Sequence, residues 1–259
     1  MSIKITILGC GGAGGVPSIS EGWGHCQSGN PRNARRRSSI LVQDGQSTVL
    51  VDCSPDLRAQ LLDAGATRLD GVLFTHGHAD HIHGLDELRE VNRVLRDSLP
   101  IWADAETLRI LETRFAYAFE GIKPGENIFR PWLVANLIDL STEFKVRTLK
   151  VRAFPLDHGF SATTGFRLGD RVVYTTDVLE LTPQAKDQIR GISLWIVGAF
   201  TDNPHPTHAH LDKVLGWIDE LKPRRAVITH MGPKLDFDTV NSRCPVGVTA
   251  GYDGMIVAG

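Results

Sequence analysis

Closely spaced cysteines are missing from this sequence. Cys10, Cys26, Cys53 and Cys244 lie far apart in 259 residues and form no CxxC pair. This pattern excludes a small disulfide framework and fits a reducing, cytoplasmic compartment. Long apolar runs are also missing, so neither a bilayer-spanning helix nor a membrane partner is expected. The chain opens on the strand-like run Ile3-Lys4-Ile5-Thr6-Ile7-Leu8 rather than a basic segment and a long apolar core, so no signal peptide is expected. An excess of charge of one sign is absent too. Twenty-eight Lys and Arg against 30 Asp and Glu leave a net charge of −2, which provides no general electrostatic reason to bind nucleic acid. No linker or composition shift divides residues 1–259, and 42% hydrophobic with 22% charged residues is ordinary for a globular chain.

Histidine is plentiful, and its placement carries the chemistry. Val72-Leu73-Phe74-Thr75 reads as a buried strand and runs directly into His76-Gly77-His78-Ala79-Asp80-His81. Three imidazoles and a carboxylate at a strand end serve no packing purpose, because buried polar groups need partners. Small spacers allow a tight turn that converges the side chains on one point. Imidazole and carboxylate are the ligands that zinc, iron and manganese accept.

Elsewhere, period-two alternation predicts a hairpin over 38–51 turning at Asp44-Gly45, a strand over 145–154, and a second hairpin over 164–175. Ser54-Pro55 and Thr182-Pro183 read as N-cap and first residue of helices. Residues 85–95, 108–119 and 211–221 have helical apolar spacing. Strands are expected over 193–197, 226–229 and 255–257. The Gly-rich loop Gly9–Pro17 is followed by no helix, so it is no dinucleotide site. Its backbone either passes close to something, such as a ligand phosphate, or is a plain turn. Residues 120–144 are the least regular and are expected to form a lid or wall of the site, or a subunit contact; a homodimer stays open.

The spacing His76-x-His78-x-Asp80-His81 resembles the signature of the metallo-β-lactamase superfamily of metal-dependent hydrolases. Three later strand ends, at His158, Asp177 and His230, resemble its remaining ligand motifs. The resemblance implies an αβ/βα four-layer sandwich of two mixed sheets flanked by helices. It also implies two divalent metal ions, zinc by preference with manganese as the alternative. His76, His78 and His158 would hold the first, and Asp80, His81 and His230 the second, with Asp177 bridging. Two cations about 3.5–4 Å apart can share a hydroxide, with Asp80 part of that catalytic centre, and clamp an in-line displacement. Asp52, at the end of the run Thr48–Val51, would accept a hydrogen bond from a ligand histidine.

His205, His208 and His210 precede the helix leading to His230. By the spacing used in the ribonuclease Z-like and cyclic phosphodiesterase branches, His208 is the expected proton donor, and His205 and His210 are bystanders. His83 reads either as support for the ligands or as a helix-entry residue. Arg35, Arg36 and Arg37 are candidates to bind a phosphate, with one of them pointing inward. The combination of Leu8–Pro17, Trp23–Cys26, Asn33–Ser39 and Gly84–Arg89 is similar to the phosphoribosyl 1,2-cyclic phosphate phosphodiesterases. That family carries a structural metal on clustered cysteines. This chain has only His25 and Cys26 at the corresponding place and Pro233 where the family has a histidine, so a third metal is not expected.

The expected activity is hydrolysis of a small phosphodiester. The competing readings are a tRNA 3′-processing nuclease, a thioester or lactone hydrolase, and a non-catalytic metal-binding module. The first needs a basic arm that residues 120–144 do not supply, and His208 argues against the other two.

Overall fold

The computed structural model describes residues 3–259. Six strands of the first half lie side by side in chain order: β1 (Lys4–Gly9), β2 (Ser39–Gln43), β3 (Thr48–Val51), β4 (Gly71–Leu73), β5 (Leu99–Ala103) and β6 (Leu133–Leu137). The second half builds another sheet in the same manner: β7 (Glu143–Val146), β8 (Leu149–Asp157), β9 (Ala162–Leu168), β10 (Val172–Thr175), β11 (Leu194–Gly198), β12 (Ala226–Thr229) and β13 (Val248–Ala250). The last strand, β14 (Ile256–Ala258), returns to pair antiparallel with β1. Both sheets are mixed. Strands β3 to β6 run parallel, as do β10 to β13, while the hairpins are antiparallel.

Alternation along each strand divides its side chains between two cores. Ile5, Ile7, Ile40, Val42, Val49 and Val51 face the other sheet and meet Val151, Phe154, Phe166 and Tyr174. Leu8, Leu41, Leu50 and Val72 face outward. There they are covered by Leu57 and Leu61 of α1 (Leu57–Asp63), by Ile82 of α2 (Ala79–Ile82), by Leu88 and Val91 of α3 (Leu88–Leu95) and by Leu111 of α4 (Ala105–Arg114). Ala185 and Ile189 of α5 (Pro183–Ile189), Val214 and Ile218 of α6 (Leu211–Leu221) and Val240 of α7 (Phe237–Arg243) cover the second sheet. Helix, sheet, sheet and helix are therefore stacked as the αβ/βα sandwich expected from the sequence. This explains why the strands are apolar on both faces.

Some local expectations are corrected. The strand expected over 145–154 is two strands, because Arg147 takes a left-handed conformation (φ 55°) and turns β7 back into β8. Helix α1 begins at Leu57, not Pro55. Ser54 Oγ instead donates to Gln60 Oε1 (2.9 Å) and accepts from Asp56 N–H, closing a turn ahead of the helix. Thr182 caps α5 as its sequence predicts, accepting from Ala185 N–H at 3.1 Å. The helical spacing over 108–119 ends at Arg114, and a single 3₁₀ turn follows.

Residues 120–144 form neither lid nor wall. Arg130 gathers the carbonyls of Tyr117, Glu120 and Gly121, and β6 then runs along the far edge of the first sheet. The Gly-rich loop does pass close to something, but that is the chain itself. A Cβ at Gly9 would lie 2.1 Å from Arg37 O, and one at Gly12 would lie 2.6 Å from the Phe200 ring. No helix among the described residues is long and apolar enough to cross a membrane.

Candidate metal centre

Open sheets of parallel strands present their binding residues at the carboxyl ends of the strands, where loops diverge. In this fold the carboxyl ends of β3, β4, β8, β10 and β12 meet at one rim. Asp52 follows β3, the His76–His81 run follows β4, His158 follows β8, Asp177 follows β10 and His230 follows β12. Asp52, Asp177 and His230 have φ of 65°, 37° and 54°. Such left-handed conformations cost energy for non-glycine residues and persist where surrounding structure enforces them. Here each one turns the chain at the strand end so that its side chain points into the rim.

Three overlapping groups of ligand atoms result, one of them His158, Asp177 and His208. One oxygen or nitrogen from each of Asp80, His81, Asp177 and His230 lies within 4.8 Å of the others, and the same holds for His76, His78 and His158. Asp177 sits between the groups. Its Oδ2 is 3.1 Å from His81 Nε2, and its Oδ1 is 3.2 Å from His230 Nε2 and 3.9 Å from His158 Nε2. Asp80 Oδ2 lies 3.1 Å from His81 Nε2 and 3.6 Å from His230 Nε2.

Imidazole orientation is set from behind. Asp52 is fully buried; its Oδ2 accepts from His81 Nδ1 and from Thr75 Oγ1, both at 2.8 Å, and its Oδ1 accepts from Thr75 N–H at 2.8 Å. His158 Nδ1 donates to Thr207 O at 2.7 Å. In both residues the bonded Nδ1 leaves Nε2 to face the centre.

The buried nitrogens test whether metal fits. His76 Nε2, His81 Nε2 and both nitrogens of His230 are buried with no hydrogen-bond partner among the described residues. Buried polar atoms in native proteins are nearly always satisfied. The Nε2 atoms of His81 and His230 lie 3.1–3.6 Å from the Asp80 and Asp177 carboxylates yet are not aligned for hydrogen bonds, which suits a shared cation. The donor set of imidazoles and carboxylates is that of zinc or manganese.

The electrostatics differ between the group around Asp80 and that around His76. Burial pushes the Asp80 and Asp177 carboxyls up, but the imidazoles of His81 and His230 outweigh it and hold both well below the usual carboxylate range. Burial alone would lower His81, yet Asp80, Asp177 and Asp52 raise it well above an ordinary histidine. Burial dominates at His76 and His158, which are lowered and kept neutral as metal ligands require.

A cavity of about 370 Å³ opens over this rim, lined by His78, Asp80, His158, Asp177, His208 and His230 together with Ala13, Phe160, Ser161, Phe200, His205 and Thr207. Size does not single it out. A cavity of about 470 Å³ beside β1, lined by Arg35, Arg36 and Asp253, brings no such ligand cluster together. His208 Nε2 lies 3.0 Å from Asp177 Oδ1, and its Nδ1 lies 2.7 Å from Thr207 Oγ1. His205 lines the same cavity, packed edge-on against the Phe200 ring. His210 only precedes α6, and His83 is exposed at the end of α2.

The arginine run does not reach the cavity. Arg35 points inward, but to Gly232 O (3.3 Å) and Asn33 Oδ1 (3.1 Å), while Arg36 pairs with Asp63 and Arg37 with Asp56. These partners displace the phosphate-binding expectation for Arg35, Arg36 and Arg37. Cys26 Sγ lies against the carbonyls of Pro233 and Leu235. Phe160, Phe200 and Thr207 were not expected from the sequence. Thr207, flanked by His205 and His208, was the one with a local signal.

A four-layer αβ/βα sandwich carrying His/Asp clusters at its strand ends is the metallo-β-lactamase fold with a candidate metal centre. The chain belongs to the β-lactamase superfamily, whose domain matches residues 47–231. It is similar to the crystal structure of a diphosphatase from the PhnP family, with a TM-score of 0.91 and 30% identity, covering 100% of this chain and 98% of that one. It shares the fold of Zn²⁺-bound PqqB from Methylobacterium extorquens, with a TM-score of 0.73, 19% identity and coverage of 98% and 99%. It is 28% identical over 257 residues to an octanoyltransferase of Porphyromonas gingivalis. That match takes in 98% of this chain but only 51% of that protein, so the chain spans about half of its length.

Proposed function

We propose that the chain is a phosphodiesterase acting on a small ribosyl phosphodiester, such as 5-phosphoribosyl 1,2-cyclic phosphate or a nucleotide-like relative. The reading rests on one observation above all. Beyond the seven ligands of the superfamily pattern, the cavity wall carries His208, which clusters with His158 and Asp177 and whose Nε2 lies 3.0 Å from Asp177 Oδ1. A module that only stores metal has no use for it. Relation to a PhnP-family diphosphatase supports phosphorus chemistry over thioester or lactone hydrolysis. The net charge of −2, with no basic arm in 120–144, favours a small substrate over RNA.

His76, His78 and His158 would hold one divalent ion, and Asp80, His81 and His230 the other, with Asp177 between them. When bound, the ions supply Lewis acidity toward a phosphoryl group and lower the pKa of water. The protein does the rest. Asp52 fixes the His81 tautomer. Phe200, 4.9 Å from the His208 ring and 6.0 Å from that of His230, walls water from one side of the imidazoles. The Thr207 hydroxyl orients His208, which holds a proton at Nε2 and passes it to the departing ester oxygen.

An alkoxide leaves poorly without a proton, whereas a nitrophenolate leaves well. General acids typically contribute about 10²–10⁴-fold. His208→Ala should therefore retain both metals and lose far more kcat/KM on a cyclic ribosyl or alkyl phosphodiester than on bis-(nitrophenyl) phosphate. Equal losses on the two substrates would reduce His208 to an electrostatic contact, and loss of metal would make it a ligand.

A further inference from the structure

We infer that Phe160 is a stacking platform for a planar ring carried by the substrate, so that the ligand class is a base-bearing nucleotide rather than a bare ribosyl phosphate. The inference rests on the phosphodiesterase reading and narrows it. Phe160 is 90% exposed, yet it lines the cavity over the metal centre two residues after His158. Exposed phenylalanines scattered singly need no explanation. One lining the cavity over a cluster of ligand residues does, because its face is offered to whatever enters.

The loop that presents it is held on both sides. His158 N–H donates to Ser161 O (3.0 Å), Gly159 N–H donates to Asp157 Oδ1 (2.7 Å), and His158 Nδ1 donates to Thr207 O (2.7 Å). Gly159 has φ 76°, and a Cβ there would lie 2.5 Å from Pro206 O. The loop therefore packs closely at Gly159 against the Pro206–Thr207 backbone. The other aromatic of the cavity is committed differently, since the Phe200 ring is packed on His205, His208 and His230. Phe160 has no aromatic neighbour among the described residues. A ring stacked on it would lie in the same cavity as His158, Asp177 and His208. Every nucleobase has a π-face, so such a platform selects for a base without selecting which one.

Base–aromatic stacking is worth about 5- to 150-fold in affinity per base by alanine substitution. The test compares adenosine 2′,3′-cyclic phosphate with methyl riboside 2,3-cyclic phosphate, which lacks the base. In Phe160→Ala the ratio of kcat/KM for the nucleotide to that for the riboside should fall by about 5- to 150-fold, mainly through KM, and Phe160→Trp should restore it. A ratio unchanged in Phe160→Ala would overturn the inference.

Binding separates this claim from the catalytic one. Calorimetry with adenosine monophosphate and ribose phosphate should show wild type favouring the nucleotide and Phe160→Ala losing that preference. If neither cyclic ester is hydrolysed but the preference is present, only the phosphodiesterase reading falls. Equal binding of the two ligands to wild type, or a dimer in sedimentation that Phe160→Ala dissociates, would overturn the platform and make Phe160 a surface or self-association residue.

Discussion

Replacing Asp52 by Asn should weaken one metal site and spare the other. Asn tolerates the left-handed backbone at this position (φ 65°), so the main chain need not move. The side chain must then choose an orientation. Thr75 N–H needs an acceptor, so the amide oxygen stays where Oδ1 is, and the amide NH₂ takes the place of Oδ2. That site now faces two former donors, the Thr75 hydroxyl and His81 Nδ1, each 2.8 Å away. The hydroxyl can rotate to accept. His81 can accept only by moving its proton to Nε2, the atom that faces Asp80 and Asp177 at 3.1 Å. A protonated Nε2 cannot bind a cation. Thr75 Oγ1 is still able to accept from His76 Nδ1 (3.0 Å), so the tautomer of His76 is kept. Loss of such a supporting partner typically costs 10–100-fold in metal affinity, or about 1.4–2.7 kcal/mol. Chelator competition followed by elemental analysis should show a loss of that size at Asp80–His81–His230 and none at His76–His78–His158. Equal weakening of both sites, or of neither, would refute the tautomer argument.

Three further outcomes are expected. Stripping metal with chelator should lower Tm by several degrees, because an ion at 100 times its Kd stabilises the folded state by about 2.7 kcal/mol per site; an unchanged Tm would mean the buried imidazoles are content without it. Asn33→Ala should destabilise by about 3 kcal/mol or more in a denaturant titration, since the buried amide joins Gln27 O, Asp236 Oδ2, Arg35 and Phe237 N–H, and each orphaned partner costs about 1–3 kcal/mol. Burial lifts the Asp253 carboxyl to about 6, against the backbone N–H bonds from Arg36 and Cys10 that lower it. A raised carboxyl favours folding while it is protonated, so this contribution is full below about pH 4 and is lost as pH rises through about 6. Between those limits stability should fall by on the order of 2 kcal/mol, and Asp253→Asn should flatten that slope; an identical pH profile in the variant would dismiss it.

Much of the architecture was legible because it is written locally. A strand buried on alternate faces shows period two, a helix on a sheet shows period 3.6, and a Thr-Pro start at residues 182–183 contains its own cap. The run from His76 to His81 was legible for the same reason: four metal-capable side chains fall within six residues. Identifying His158, Asp177 and His230 took the superfamily pattern, because a lone strand-end residue is uninformative until its neighbours in space are known. What the tertiary structure alone decided are contacts between distant segments. The glycines at 9 and 12 answer to Arg37 and Phe200, and the three arginines are claimed by Gly232, Asp63 and Asp56. Residues 133–137 form the edge strand of the first sheet, and the loop carrying the exposed Phe160 packs at Gly159 on the 206–207 backbone. Side-chain chemistry and periodicity are properties of the chain; which group meets which is settled by packing between segments as far apart as Arg35 and Gly232, and no local pattern encodes it.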